Sequence, residues 1–362
     1  MRGLLARIAC VRAVAAVAAL LVVVGATGRA ASPRQSFGVV LDAKTGRRLA
    51  TIRVNQPIRT AIADGHGAWF VGGGFIRANG VLRKRLARVG ADGRLDPLWK
   101  PEANGNGASV TSLARIGGRV YVGGDFATLQ HRPRLWVGAF DSHSGRLLPW
   151  KPLRAGINYP VLLTGPDRVY LGGYRVQATS GLAALRPDDG RAVPEWHAIV
   201  DTSNIEGGGV RAIARLDGRL YIAGRFSKVD GVPTPGLASV DARTGRLFRD
   251  WRPRRRPRYC SGCSDVSSLA AGRGLVFAGV PGAVLALDPR SGATRWRTRV
   301  GGFEVNGFAL VGRRLYVVGD FGLRALDAAT GRHLPSWFPP STQIGVTAAA
   351  SGARVLISFH PN

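Results

Sequence analysis

Cysteine is nearly absent: Cys10 falls within the first thirty residues, leaving Cys260 and Cys263 for the rest of a 362-residue chain. A fold framed by many disulfides is therefore excluded, and a zinc site lacks the two further ligands that a lone Cys-Ser-Gly-Cys pair needs. Glutamate is as scarce, with only Glu102, Glu195, Glu206 and Glu304, and the six histidines sit in unrelated contexts. No histidine-rich metal spacing, nucleophile elbow or phosphate loop is present, so no familiar catalytic motif and no cofactor site is expected. Continuous 3.6-residue periodicity is missing, which excludes a helical solenoid. The uninterrupted apolar run Ala13 to Val24 has 12 residues, against roughly 20 needed to span a bilayer. Lysine supplies only five of 51 basic residues, so the formal charge of +29 is carried by arginine.

What is present begins with a targeting pattern. Arg2, Arg7 and Arg12 precede that apolar run, and small residues follow at Gly25, Ala26, Gly28, Ala30 and Ala31, the order of a secretory signal peptide. Residues 1–31 are expected to be removed and 32–362 to form one domain, secreted or associated with the cell envelope and without a membrane span. Loss of Arg2, Arg7, Arg12 and Arg29 lowers the charge to +25. In an exported chain Cys260 and Cys263 are expected to form a local disulfide that pins their loop.

The remaining sequence is repetitive. One phrase is an apolar strand closing on glycine: Trp69 to Gly73, Val120 to Gly124, Val169 to Gly173, Leu220 to Gly224, Leu275 to Gly279, Leu315 to Gly319 and a degenerate Val355 to Phe359. The other is a turn of the type Asp-x-x-Thr/Ser-Gly-Arg, as in Asp42 to Arg47, Asp141 to Arg146, Asp241 to Arg246 and Asp327 to Arg332, usually with a tryptophan soon after. Each phrase occurs seven times, at a period of about 47 residues that tiles the chain and leaves no room for a second domain. Four short strands fit in each period; in the third they are Val110 to Ala114, Arg119 to Gly124, Leu135 to Asp141 and Leu147 to Trp150. The reading is an all-β protein, a single β-propeller of seven four-stranded blades. Because the chain starts on a third strand and stops after a second, Phe37 to Val54 are expected to pair with Val346 to Phe359 and close the ring.

Two stretches, Gly73-Gly-Phe-Ile-Arg-Ala-Asn-Gly80 and Gly224-Arg-Phe-Ser-Lys-Val-Asp-Gly231, resemble the delta-sixty type β-propeller repeat of bacterial secreted proteins. Ala286-Leu-Asp-Pro-Arg-Ser-Gly292 with Trp296 is similar to the tryptophan-docking repeat of pyrroloquinoline-quinone-type propellers. The resemblance implies that Trp99, Trp150, Trp196, Trp251, Trp296 and Trp337 pack between blades as core. The vicinal disulfide of the quinone-dependent dehydrogenases has no candidate here.

Two surfaces are nominated by the topology. Connections leading to the innermost strands carry Asn106, Asn158, Asn204, Glu206, Asp265, Glu304 and Asn306, hydrogen-bonding groups suited to a glycan or peptide. The opposite rim repeats arginine, with Arg47, Arg94, Arg146, Arg191, Arg246 and Arg332 in the third-to-fourth turns, joined by Arg119, Arg168, Arg219, Arg273, Arg313, Arg314 and Arg354. Such a rim attracts polyanions. The expected function is a secreted, monomeric, non-enzymatic binding or scaffold module for an anionic wall polymer, a glycan or a protein, and nucleic acid is not an expected partner of an exported chain. The enzyme alternative is a hydrolase or lyase of an anionic polysaccharide, its acid and base drawn from Glu206, Asp265 and Glu304; it requires paired carboxylates roughly 5 to 9.5 Å apart.

Overall fold

Every regular element in the computed structural model is a β-strand, over described residues 36–152, 158–174, 181–202, 205, 208–253, 266–335 and 343–360. A hairpin of β1 (Ser36–Asp42) and β2 (Arg48–Val54) comes first. Antiparallel units follow: β3 (Ile58–Ala63), β4 (Trp69–Gly73) and β5 (Leu86–Val89); then β6 (Ser109–Ile116), β7 (Arg119–Asp125) and β8 (Val137–Asp141). Next come β9 (Asn158–Thr164), β10 (Val169–Tyr174) and β11 (Leu182–Leu185), joined through Tyr174 and Gly209 to β12 (Gly209–Leu216), β13 (Arg219–Arg225) and β14 (Leu237–Asp241). A further unit holds β15 (Ser268–Gly272), β16 (Leu275–Val280), β17 (Ala283–Leu287) and β18 (Thr294–Arg299), and another β19 (Val305–Val311), β20 (Arg314–Gly319) and β21 (Gly322–Asp327). The last strands, β22 (Ile344–Ser351) and β23 (Arg354–His360), line up beside the first two in the order β22-β23-β1-β2. Phe37 faces Phe359 and Asp42 faces Arg354, so the expected pairing between the two ends of the chain is formed.

The leading strand of each unit lies against that of the next. β3 packs on β6, β6 on β9, β9 on β12, β12 on β15, β15 on β19, β19 on β22, and β22 on β3, so the series returns to its start. The clusters between units are apolar, as that of Tyr170, Trp196, Val210, Leu220 and Ile222 illustrates.

The expected fourth strand is mostly missing, and this corrects the four-stranded reading. Only β2 and β18 run on as strands; elsewhere the position shrinks to single bridges, Val89 to Leu95, Phe140 to Leu147, Leu185 to Ala192, Val240 to Leu247 and Leu326 to His333. In four of these five the segment meets Pro97, Pro149, Pro194 or Pro335 within three residues of the bridge, and proline cannot donate to a ladder. The outer edge is built instead from small hairpins inserted after the second strand. Residues 77–78 and 81–82 pair beside β2, 128–129 and 132–133 pair beside 103–104, and 228–229 and 232–233 pair beside 200–201. Phe75, Phe126 and Phe226 anchor these hairpins in the core.

The glycine that ends the second strand has a steric cause. A Cβ on Gly73, Gly124, Gly224 or Gly319 would collide with the carbonyl oxygen of Pro57, Ser109, Gly209 or Glu304, at the start of the leading strand of the same unit. That close approach goes with a β-bulge: Val110 faces Gly124 and Ser112 faces Gly123, leaving Thr111 as the extra residue. Arg59, Arg211, Asn306 and Val346 are extra in the same place in their units. Gly124→Ala is expected to lower stability by roughly 1–3 kcal/mol, the cost of overpacking against backbone that cannot yield. Gly118→Ala, whose new methyl meets only Ser142 Oγ at 4.0 Å, should leave the melting temperature nearly unchanged. Thermal melts of both variants provide the check; equal effects would remove the steric explanation.

Candidate binding surfaces

The turn after each third strand is shaped by its aspartate. In Asp42, Asp141, Asp241, Asp288 and Asp327 the Oδ1 oxygen accepts the backbone N–H and the hydroxyl of the Thr or Ser three residues on. Hydrogen bonds from the Thr45 hydroxyl and N–H hold Asp42 below the ordinary carboxylate pKa, and the Ser144 N–H and hydroxyl do the same for Asp141. Asp288 is lowered strongly, by the Ser291 N–H and then by the Arg295 guanidinium. For Asp327 burial opposes the shift, but the N–H and hydroxyl of Thr330 outweigh it.

The same turn is a socket for the preceding unit. Trp99, Trp150, Trp251 and Trp296 donate their indole N–H to the carbonyls of Asp141, Arg186, Asp288 and Ala328 at 2.9 to 3.2 Å. Trp196 does so to Ala242 at 3.1 Å. Tyr121, Tyr170 and Tyr221 add hydroxyl bonds to Pro187, Ala242 and Pro289, and Tyr316 reaches the carbonyl of Ala43 in the β1–β2 turn. Trp99, Trp150, Trp196 and Trp251 are buried and Trp296 is half-buried, so these five are core; Trp337 lies outside the described residues.

This socket positions the arginines that follow it. The first-to-second and third-to-fourth turns of one unit are hydrogen-bonded to each other, with Ala43, Ser142, Ala242 and Ala328 donating to Ala353, Gly118, Gly218 and Arg313 at 2.8 Å. Arg47, Arg94, Arg146, Arg191, Arg246 and Arg332 are all exposed. Arg94 and Arg191 make long contacts with Asp92 and Asp189 at 3.6 Å, whereas Arg47, Arg146, Arg246 and Arg332 form no ion pair among the described residues. Several arginines of the first-to-second set are already engaged. Arg119 pairs with Asp188 at 2.9 Å, Arg168 pairs with Asp167 and donates to the Arg243 carbonyl, Arg313 pairs with Asp327 at 3.1 Å, and Arg219 lies over the Phe248 ring at 3.6 Å. Arg146 also lines an open cleft of about 540 Å³ with Arg132 and Gln130 above Leu147, Leu148 and Pro149. Here an arginine of the turn rim shares a surface with a residue of the second-to-third connection.

The hydrogen-bonding set leading to the innermost strands is only partly described. Asn204, Glu206 and Asp265 lie outside the described residues, as do Cys260 and Cys263. Asn106 and Glu304 are exposed, Asn158 pairs through its backbone region with Tyr174, and Asn306 Nδ2 donates to the Gly345 carbonyl at 2.9 Å. Of the three carboxylates offered for catalysis, only Glu304 can be placed. Among the described residues no group of three His, Cys, Asp or Glu side chains could hold a metal ion, and no helix is long and apolar enough to cross a membrane.

A profile for the outer membrane protein assembly factor BamB matches residues 264–354, and one for a β-propeller domain of unknown function, DUF5122, matches residues 67–98 and 215–238. The chain is a β-propeller that carries PQQ-like repeats over residues 264–354. The second profile falls on the two stretches with the Gly-x-Phe hairpin, and the first on β15 to β22. The propeller is similar in fold to the computationally designed Ika8 protein, at 13% identity and a TM-score of 0.55 over 87% of this chain and 100% of that one. The WD40 β-propeller domain of Doa1 gives 10% identity and 0.55 over 84% and 93%. The extracellular domain of the putative one component system BT4673 from B. thetaiotaomicron gives 15% and 0.53 over 91% of this chain and 40% of that one. Among curated proteins none matches.

The capped turns make a pH prediction. A carboxyl with a depressed folded pKa contributes stability above its unfolded value, near 3.8, and loses it as pH falls through the folded value. Melting temperature should therefore decline below about pH 4. In Asp141→Asn the deficit seen at neutral pH should shrink at about pH 3, where wild type has begun to lose the same contribution. A deficit independent of pH would remove the capping carboxylate from the account.

Proposed function

We propose that the chain is a secreted, non-enzymatic propeller of seven units that binds anionic envelope polymers through its turn rim. The unit number is supported by the leading strands β3, β6, β9, β12, β15, β19 and β22, which follow one another back to β3. Closure is supported by β1 and β2 beside β23. Export rests on the signal-peptide pattern of residues 1–31, and the mature chain is taken as a monomer that neither spans a membrane nor binds nucleic acid.

One observation carries the binding reading: Arg47, Arg146, Arg246 and Arg332 occupy the same turn position in four units, exposed and without an ion pair among the described residues. Arginine with no internal partner is available for carboxylate or phosphate oxygens. Spread over several units, the four suit a long acidic polymer better than a small ligand, since each contact is weak and their effect depends on simultaneous engagement.

Binding of the mature protein to a polyuronate and to a polyglycerol phosphate at several salt concentrations tests this. Replacing Arg146, Arg246 and Arg332 with Ser should weaken binding and flatten the salt dependence, because fewer counterions are released. Melting should hardly move, as exposed turn substitutions shift stability by under about 0.5 kcal/mol. Replacing the exposed Arg53, Arg297 and Arg299 of β2 and β18 removes equal charge and should have a smaller effect. Equal loss from both sets would mean that net charge alone acts, and no loss from the first set would overturn the rim.

A further inference from the structure

Three small hairpins use the same two-residue turn, and one of them departs from the other two. Asn79-Gly80, Gln130-His131 and Asp230-Gly231 have positive φ at both positions, 47° and 80°, 48° and 60°, and 50° and 73°. This geometry suits Asn or Asp followed by Gly, and it strains Gln followed by His.

In the first and third hairpins the leading turn residue is a plug. Asn79 Oδ1 accepts the Arg53 N–H at 2.9 Å, and its Nδ2 donates to the Gly93 carbonyl at 3.0 Å, in the segment that follows β5. Asp230 Oδ1 accepts the Ile199 N–H at 2.9 Å, and its Oδ2 accepts the Leu247 N–H at 3.1 Å, in the segment that follows β14. Gln130 keeps the backbone part of this arrangement, its N–H bonded to the Glu102 carbonyl at 3.1 Å, but its side chain makes neither bond among the described residues. A second tie is missing as well. Arg83 donates to the Leu82 carbonyl and across to the Asp96 carbonyl at 3.1 Å, whereas its counterpart Arg134 donates to Pro133 and, among the described residues, not to Leu148.

The unplugged hairpin borders the cleft of about 540 Å³ lined by Gln130, Arg132, Arg146, Leu147, Leu148 and Pro149. None of these is acidic, and Arg132 and Arg146 are exposed and form no ion pair among the described residues. Leu147 is the counterpart of Leu247. It faces Phe140 in a bridge whose hydrogen bonds are made by the residues on either side, Asp141 to Arg146 and Leu148 to Ala139, so its own N–H is turned away from β8.

We propose that this cleft takes an aspartate side chain from an extended apolar segment of a partner protein, in the place that Asp230 fills from within at the hairpin of residues 228–233. The carboxylate accepts from the Leu147 N–H and from the guanidiniums of Arg132 and Arg146, and the residues flanking the aspartate cover Leu147, Leu148 and Pro149. A uniformly charged polymer has nothing to lay on that apolar floor, so the site differs in ligand from the turn rim although Arg146 belongs to both.

Calorimetric titration of the mature protein with acetyl-Ser-Leu-Asp-Leu-Ser-amide tests this, beside the same peptide with Asn for Asp and beside acetyl-Ser-Leu-Leu with a free terminal carboxylate. Saturable binding of the Asp peptide at one site per chain is expected, about tenfold weaker for the Asn peptide and about tenfold weaker in Arg132→Gln. Gln130→Asn supplies the plug seen at Asn79 without changing the charge, and should raise the melting temperature and abolish binding. Arg246→Ser with Arg332→Ser depletes the rim and spares the cleft, and should bind the Asp peptide as wild type does, so failure of the rim reading leaves this result intact. No saturable binding, equal binding of the Asp and Asn peptides, tighter binding of the free carboxylate peptide, or binding indifferent to Gln130→Asn and Arg132→Gln would overturn the proposal.

Discussion

The structure depends on a hydrogen bond made by an aromatic side chain to the backbone of the next unit's turn. Each unit of three or four strands is too thin to bury its own faces, and the Trp and Tyr donors bring neighbours into register. Tyr121 and Trp150, with ring centroids 4.9 Å apart, end on the successive carbonyls of Pro187 and Arg186. Tyr221 and Trp251 do the same at Pro289 and Asp288. Each such bond is worth about 0.5–1.5 kcal/mol net, and each ring pair a similar amount beyond its buried area. The cost of leaving those carbonyls dry and unpaired is larger, so the contact specifies where a unit sits as well as how firmly. Burial pushes the Tyr121 and Tyr221 hydroxyls up to about 12, in keeping with donors that stay protonated.

From that contact the rest follows in order. A carbonyl can serve as a socket only if its turn is rigid, and the aspartate cap supplies the rigidity in Asp42, Asp141, Asp241, Asp288 and Asp327. With the cap in place, the arginine two residues beyond the capping Thr or Ser lies outside the socket, exposed in the four turns that carry one, at Arg47, Arg146, Arg246 and Arg332. On the other side of each unit, the glycine ending the second strand admits a carbonyl from the start of the first and leaves one residue extra. The turn rim and the bulge ring are thus by-products of one packing scheme, and their side chains are free to vary. Arginine at four rim positions that form no ion pair among the described residues is what gives the turn rim chemical content.

Much of this was legible in the sequence. Asp-x-x-Thr/Ser-Gly-Arg states the cap directly, because a carboxylate three residues before a hydroxyl has little else to bond, and the Gly-terminated strand marked the repeat and its period. The pairing of the two ends followed from the incomplete units there. The missing fourth strands were also readable, since Pro97, Pro149, Pro194 and Pro335 stand where a ladder N–H is needed, but the alternation of Arg-Leu-Leu before Pro149 resembles a strand until that donor is counted. The bulges were not legible. Thr111 and Arg59 look like ordinary members of an alternating strand, and only the facing register of Gly124 and Gly73 exposes them as extra. Nor did the sequence separate Arg119 and Arg313, paired with Asp188 and Asp327, from the arginines that form no ion pair among the described residues, because those partners lie in a neighbouring unit or turn brought close by the fold.

If the docked turns bind all units into one ring, the strands at the chain ends must be as protected as those in the middle. Native-state hydrogen exchange tests this most directly, by comparing amides of β1 and β23 with those of β13. The account predicts that all three sets open at the same free energy, in one cooperative event. Exchange of β1 amides at a much lower free energy, with β13 still protected, would show an open row of units and contradict the ring.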